Sequence, residues 1–247
     1  MNKSEELECP QQEFVLKFSF RSLNYRWHKL IKTKKFRING VYISTSLEDI
    51  SPSVQKDLFR GTYEDTERKF IEQFIKPDNR VLEIGCGIGL VSLVASKICK
   101  GGSIKSYEAN PHMERVIKKN YALNGIEPNL EMKAVSSNGE NLEFYIDPDI
   151  ISSSVFDRQK SSRKQIIKSE ALDDILKSFN PDTIVMDVEG AEVELLANSS
   201  LAGVVQMIIE VHPHIVGKEK VSHLNDSLAA LEFKMTVQKG KVCVYHR

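Results

Sequence analysis

Val81-Leu82-Glu83-Ile84-Gly85-Cys86-Gly87-Ile88-Gly89 is the stretch on which the fold turns. A short apolar strand runs into a turn with glycine at every second position, and Leu90 to Cys99 continues as an apolar helix. Gly85 and Gly87 permit a tight turn and let a ligand approach the backbone, while a helix starting near Gly89 leaves free N–H groups in its first turn. Such a strand, turn and helix unit suits a nucleotide-like ligand at the carboxyl end of a parallel sheet. The spacing is G-x-G-x-G, not the G-x-G-x-x-G of a dinucleotide site, and an acid, Glu83, lies inside the strand. That carboxylate would repel a pyrophosphate and hold an ammonium, so the electrostatics favour a cationic cofactor.

Around this unit the pattern alternates. Glu64 to Ile75 places Phe70, Ile71, Phe74 and Ile75 at helical spacing, and Pro77 ends the helix. Ser103 to Glu108 reads as a strand and Pro111 to Leu123 as a helix opened by proline, an order that implies parallel strands with right-handed crossovers. Leu130 to Ser136 and Leu142 to Ile146 read as a hairpin about Ser137-Asn138-Gly139. A helix over Leu172 to Phe179, a strand over Thr183 to Asp187, a helix from Ala191, a strand over Val204 to Val211 and a helix over Leu224 to Leu231 follow. The last run, Lys241 to Tyr245, has no crossover helix after it and is expected antiparallel at or near a sheet edge. Residues 1–59 read as a small N-terminal cap, with Phe14 to Phe20 alternating like a strand and Phe36 to Ser44 forming a hairpin on Asn39-Gly40, ahead of one α/β domain over 60–247.

Composition narrows the class. The 247 residues suffice for one α/β domain with an extension, and 41% hydrophobic with 28% charged residues is the balance of a soluble globular chain. Its 34 basic and 34 acidic residues cancel, so there is no general argument for binding nucleic acid or an anionic membrane. One local exception is Arg21, Arg26, Lys29, Lys32, Lys34, Lys35 and Arg37, a basic run without an acid. No segment approaches the roughly 20 apolar residues of a membrane span, and the start lacks the pattern of a secretory signal. Cys9, Cys86, Cys99 and Cys243 have no CxxC spacing, as expected of free thiols in a reducing compartment, so the chain is expected to be cytoplasmic.

Glu108 closes the second strand about 20 residues past the glycine loop, where a carboxylate accepts hydrogen bonds from ribose hydroxyls. With Gly61-Thr62-Tyr63-Glu64, VLEIGCGIG at 81–89, SYEANP at 106–111, DVEGAE at 187–192 and IIEVHP at 208–213, the chain resembles the FkbM family of S-adenosylmethionine-dependent methyltransferases. The resemblance covers about 60–247 and implies a class I, Rossmann-like fold that O-methylates hydroxyls of sugars, glycan precursors or secondary metabolites. It implies that Tyr63, Glu83, Gly85, Gly87, Gly89, Glu108, Ala134, Val135 and Asp187 line the cofactor site. Glu83 and Cys86 stand where the family often has Asp and Ala.

Asp187 and Glu189, two apart at one strand end, and Glu210 and His212 on the next strand would gather at the carboxyl edge of the sheet. An alcohol is a poor nucleophile unless a base removes its proton during methyl transfer, and His212 is the expected base, with Glu189 or Asp187 as rival or orienting partner. The same cluster could hold Mg²⁺, although a metal is not expected. Ser152, Ser153, Ser154, Arg158 and Arg163 lie in a polar stretch that could form a lid, and its arginines would suit a phosphorylated acceptor. Methylation of nitrogen or of a protein side chain, a nicotinamide-dependent oxidoreductase and a non-catalytic cofactor-binding scaffold are the alternatives. A homodimer through the cap is compatible with the pattern without being required by it.

Overall fold

The computed structural model describes residues 10–100, 103–146 and 163–247. A helix α1 (Pro10–Leu30), a hairpin of β1 (Lys35–Ile38) and β2 (Val41–Ser44), and helices α2 (Pro52–Arg60) and α3 (Asp65–Phe74) come first. The alternating part begins with β3 (Val81–Ile84), α4 (Leu90–Ile98), β4 (Ile104–Tyr107), α5 (Glu114–Leu123) and β5 (Leu130–Glu131). Four short strands, β6 (Ala134–Ser136), β7 (Leu142–Ile146), β8 (Arg163–Ile167) and β9 (Ser169–Ala171), lead to α6 (Leu172–Phe179) and β10 (Thr183–Met186). The chain ends with α7 (Glu192–Ala197), β11 (Gln206–Glu210), α8 (Pro213–Val216), α9 (Lys218–Ala230), β12 (Lys234–Lys239) and β13 (Val242–His246).

Seven strands form one sheet in the order β12-β13-β11-β10-β3-β4-β5. The run from β11 to β5 is parallel, and β13 is antiparallel to both its neighbours. Successive residues of a strand point to opposite faces, and here both faces are covered, so the central strands are apolar at nearly every position. Val81, Val185, Ile208 and Val244 pack beneath α3, α4 and α5, whereas Leu82, Ile184, Met207 and Cys243 pack beneath α6, α7 and α9. The chain leaves β3 towards β5 on one side and returns to β10 on the other. This reversal opens a crevice at the carboxyl ends of β3 and β10, where sheets of this kind bind ligands.

Two readings of the sequence are corrected. Phe14 to Phe20 belongs to α1, because its alternation is a short sample of a longer helical stripe that continues through Leu23, Trp27 and Leu30 without an interior glycine or proline. The expected hairpin at 130–146 does not form: β5 joins the main sheet beside β4, β6 pairs with β9 in parallel, and β7 pairs with β8 antiparallel. Its turn is tied elsewhere, with Gly139 N donating to Ser136 Oγ and the Ser169 hydroxyl donating to Glu140 O. The edge position beside β13 is taken by β12, a strand exposed along most of its length and bracketed by Lys234 and Lys239, charges that discourage pairing with another chain. The polar stretch with Ser152, Ser153, Ser154 and Arg158 lies outside the described residues, and Arg163 begins β8. No helix among the described residues is long and apolar enough to cross a membrane.

Candidate active site

The glycine loop is shaped by contacts that leave no room for side chains. Gly85 has φ +83°, and a Cβ there would lie 1.9 Å from the Asp187 carbonyl oxygen, so the ends of β3 and β10 can meet only through glycine. A Cβ on Gly87 would come within 3.3 Å of the Tyr63 hydroxyl and 3.4 Å of Glu64 Oε1, across the space where a ligand would pass. Gly87 N donates to Glu108 Oε2 at 2.9 Å and Asn110 N to Oε1 at 2.8 Å, so the Glu108 carboxylate braces the loop from β4. Gly89 stands apart: it caps α4 and faces Tyr121 and Ile117, which makes it a helix-packing position away from the crevice.

The opposite wall comes from the segment between α2 and α3. Arg68, 3% exposed, donates from Nε to Tyr63 O and from Nη2 to Gly61 O, and it also bonds Asn39 in the hairpin turn. This fork fixes Tyr63 and Glu64 against the crevice and ties the N-terminal region to the main domain. Ala134, Val135 and Leu142 give the crevice an apolar side, and Glu108, Asp187 and Glu189 an acidic one. The space so enclosed is about 910 Å³, part of it open to solvent.

Behind the loop lies a smaller recess lined by Glu64, Glu67, Glu83, Cys86, Asp187 and Glu210. Glu83 is 2% exposed and neither carboxylate oxygen has a hydrogen-bond partner. Burial pushes its carboxyl up to about 7; the hydroxyls of Ser106 and Ser92 oppose the rise, yet neither completes a hydrogen bond to it. A buried acid with both oxygens unpaired, beside a glycine cradle that a Cβ would fill, fits a ligand bearing an ammonium group. Burial, then the neighbouring Glu210, raises Glu67 to about 7 as well.

His212 is 1% exposed and sits behind the acidic wall. Its Nε2 lies 3.2 Å from Glu189 Oε2, 3.5 Å from Glu210 Oε1 and 3.7 Å from Asp187 Oδ1, so the four groups expected to gather do so. The geometry that brings them together differs from the extended one expected, because β10 ends at Met186 and Glu189 has φ +52°. Asp187 and Glu189 line the crevice, whereas His212, which touches both, lies just behind its lining. Glu192, fully buried, accepts from His212 N and Gly190 N, each at 2.7 Å, and lies 3.5 Å from His212 Nδ1. Burial alone would raise Glu192, but the adjacent His212 ring and the hydrogen bond accepted from His212 N hold it below the usual carboxylate range. Asp187 keeps 37% of its side chain open, yet its Oδ1 end is enclosed and accepts no hydrogen bond. Burial first, then Glu210 and Glu189, hold it well above that range. One atom each of Asp187, Glu210 and His212 lie within 4.8 Å of one another, a spacing that a cation could bridge.

Arg68 and Glu67 lie in no motif, and Glu192, although it closes the DVEGAE stretch, gives no sign in the sequence of its anchoring role. An acid at a helix start reads as a charge partner for the helix dipole, which hides a buried acceptor.

The doubly wound sheet, the loop after its first strand and the carboxylate after its second define a class I, Rossmann-like α/β fold with its ligand crevice at the carboxyl ends of the strands. Residues 83–235, more than half of the chain, match the model of the methyltransferase FkbM domain, and the chain belongs to that family. It is 25% identical over 194 residues to a ribosomal protein L11 methyltransferase of Thermosipho africanus, covering 72% of this chain and 69% of that one. The protein of the same name in Ruminiclostridium cellulolyticum is 30% identical over 122 residues, 45% of this chain, and the match spans only 36% of that relative's length. Among solved structures, a precorrin-6y C5,15-methyltransferase from Geobacter metallireducens superposes with a TM-score of 0.48 at 13% identity, covering 83% of this chain and 95% of that one.

Proposed function

We propose that the chain transfers a methyl group to a hydroxyl of a sugar, glycan precursor or similar small acceptor, with Asp187 taking the proton. The observation that carries this reading is the position of Asp187 and Glu189 at the crevice wall, directly beside Gly85 and Gly87. S-adenosylmethionine supplies a carbon activated by its sulfonium. Glu83 would receive the ammonium of its methionine part, Glu108 would hold the ribose edge while bracing the loop, and Ala134 with Val135 would flank the base. Glu189 and Asp187 would orient the acceptor oxygen in line with that carbon, and Asp187 would accept its proton as the new bond forms. A base raised above the ordinary carboxylate range is better matched to an alcohol near neutral pH. His212, held by Glu192 and facing Glu189, is a positioning residue in this scheme.

The acidic wall also selects the acceptor. Asp187, Glu189, Glu64 and Glu108 would repel a phosphate at the reacting end, so the acceptor is neutral or cationic there and any phosphate lies outside the crevice. A second reading follows from the same charge: a protein amine is a cationic acceptor, and the relatives named above are ribosomal protein methyltransferases. Incubation with labelled S-adenosylmethionine and matched panels of polyols, nucleotide sugars and lysine-containing proteins separates the two. Product on oxygen supports our reading; product on nitrogen alone overturns it. Buried thiols at Cys86, Cys99 and Cys243 support a cytoplasmic setting.

A further inference from the structure

Helix α1 lies on the protein the wrong way round for a globular domain. Its inner face is polar and aromatic: the His28 ring stacks on Phe59 with centroids 5.1 Å apart, and Asn24 Nδ2 donates to Phe59 O. On its outer face Phe20, Leu23, Trp27 and Leu30, followed by Ile31, are between 51% and 76% exposed. At 100° per residue these five fall within one apolar stripe, opposite Tyr25 and His28. Nothing in the rest of the described chain covers this stripe. Arg26 flanks it on the helix and Lys32 and Lys34 follow directly after it, while Arg21 and Lys29 stand further round and Lys35 lies over the Tyr42 ring; none of these, nor Arg37, forms an ion pair among the described residues. From Phe14 to Leu47 the sequence contains no Asp or Glu.

We propose that this face binds the surface of an anionic lipid bilayer, with the Phe20, Leu23, Trp27, Leu30 and Ile31 stripe lying in the interface and the basic side chains meeting the headgroups. Charge complementarity decides between occupants. A second copy of the same face would bring Arg26, Lys32 and Lys34 against their own copies with no acid between them, whereas an anionic bilayer offers both an apolar layer and the opposite charge. Long Lys and Arg stems can lie along the apolar surface while their charges reach the phosphates. Zero net charge over the whole chain does not oppose this, because attraction to a charged surface falls off within a Debye length. Helix α2, on which α1 rests, is capped by Gly61, two residues before Tyr63 of the crevice wall. Bilayer binding would therefore hold the enzyme by the element next to its active site.

Trp27 is the single tryptophan of the chain and is 59% exposed, so its own fluorescence reads the proposed contact. Full-length protein is titrated with phosphatidylcholine vesicles, with and without phosphatidylserine, and binding is followed by emission and co-sedimentation. The expected result is a blue shift and pelleting with the phosphatidylserine vesicles alone, both lost at high salt. Arg26→Glu with Lys34→Glu should weaken binding at least about tenfold. Leu23→Ser with Leu30→Ser should abolish it while leaving the circular dichroism unchanged. No shift of wild-type Trp27 with phosphatidylserine vesicles overturns the proposal. So does a shift that grows with protein concentration in the absence of vesicles together with a doubled mass, which would make the face a dimer interface.

Discussion

Replacing Glu83 with Gln should stabilise the protein at alkaline pH and weaken its hold on the methyl donor. In the folded chain the Glu83 carboxyl is raised to about 7 by burial, against an ordinary value near 4.5. A proton is therefore bound more tightly in the folded state than in the unfolded one. The resulting stability is fully present below about pH 4.5 and is lost as pH rises through about 7. A difference of about 2.5 pH units at about 1.36 kcal/mol each gives roughly 3 kcal/mol of strain at pH 8. Gln keeps the shape without the charge, so thermal unfolding of the unliganded variant should rise by roughly 6–12 °C at pH 8 for a chain of this size and by almost nothing at pH 4.5. If the carboxylate receives the donor's ammonium, the wild type should also bind S-adenosylmethionine more tightly at pH 8 than at pH 6, and the variant should lose that dependence. Equal unfolding temperatures of wild type and variant at both pH values would refute the reasoning.

Gly85→Ala should abolish donor binding and destabilise the fold, since positive φ alone costs roughly 1–3 kcal/mol and the Cβ would overlap the Asp187 carbonyl; calorimetry and thermal unfolding check both. Asp187→Asn should lower kcat about 10²- to 10⁴-fold while leaving the affinity for S-adenosylmethionine nearly intact. Because Asp187 must lose its proton to act, wild-type kcat should rise with pH along a limb lying above the ordinary carboxylate range, and the Asn variant should lack that limb. Glu192→Ala should cost about 3–5 kcal/mol in urea unfolding, as it leaves His212 N and Gly190 N without their acceptor and His212 among unbalanced acids. A chelator should leave the rate unchanged; a loss restored by Mg²⁺ would transfer the role of Asp187, Glu210 and His212 to a bound cation.

What could be read in advance divides along physical lines. The sheet was legible because strands buried on both faces must be apolar throughout, as Thr183 to Met186 and Gln206 to Glu210 nearly are. The loop was legible because Gly85 and Gly87 have no substitute at their backbone angles. The gathering of Asp187, Glu189, Glu210 and His212 followed from their places at two neighbouring strand ends. Which of them lines the crevice did not, since that depends on a left-handed turn at Glu189 that no propensity marks. The pairing of the strands between residues 130 and 171 was misread because β6 and β7 find their partners more than 15 residues further along the chain, and partner choice over that distance leaves no local pattern. The N-terminal helix was misread because its apolar stripe faces outward, so only its spacing, and not its burial, identifies it.

The most direct test of the central claim is calorimetric titration of the purified chain with S-adenosylmethionine, S-adenosylhomocysteine and NAD, repeated on Gly87→Arg. Our account predicts one site that takes both adenosyl ligands, refuses NAD, and is lost in the variant, whose side chain would fill the gap before Tyr63 and Glu64. Binding of NAD in place of the adenosyl ligands, or adenosyl binding unaffected by Gly87→Arg, would contradict it.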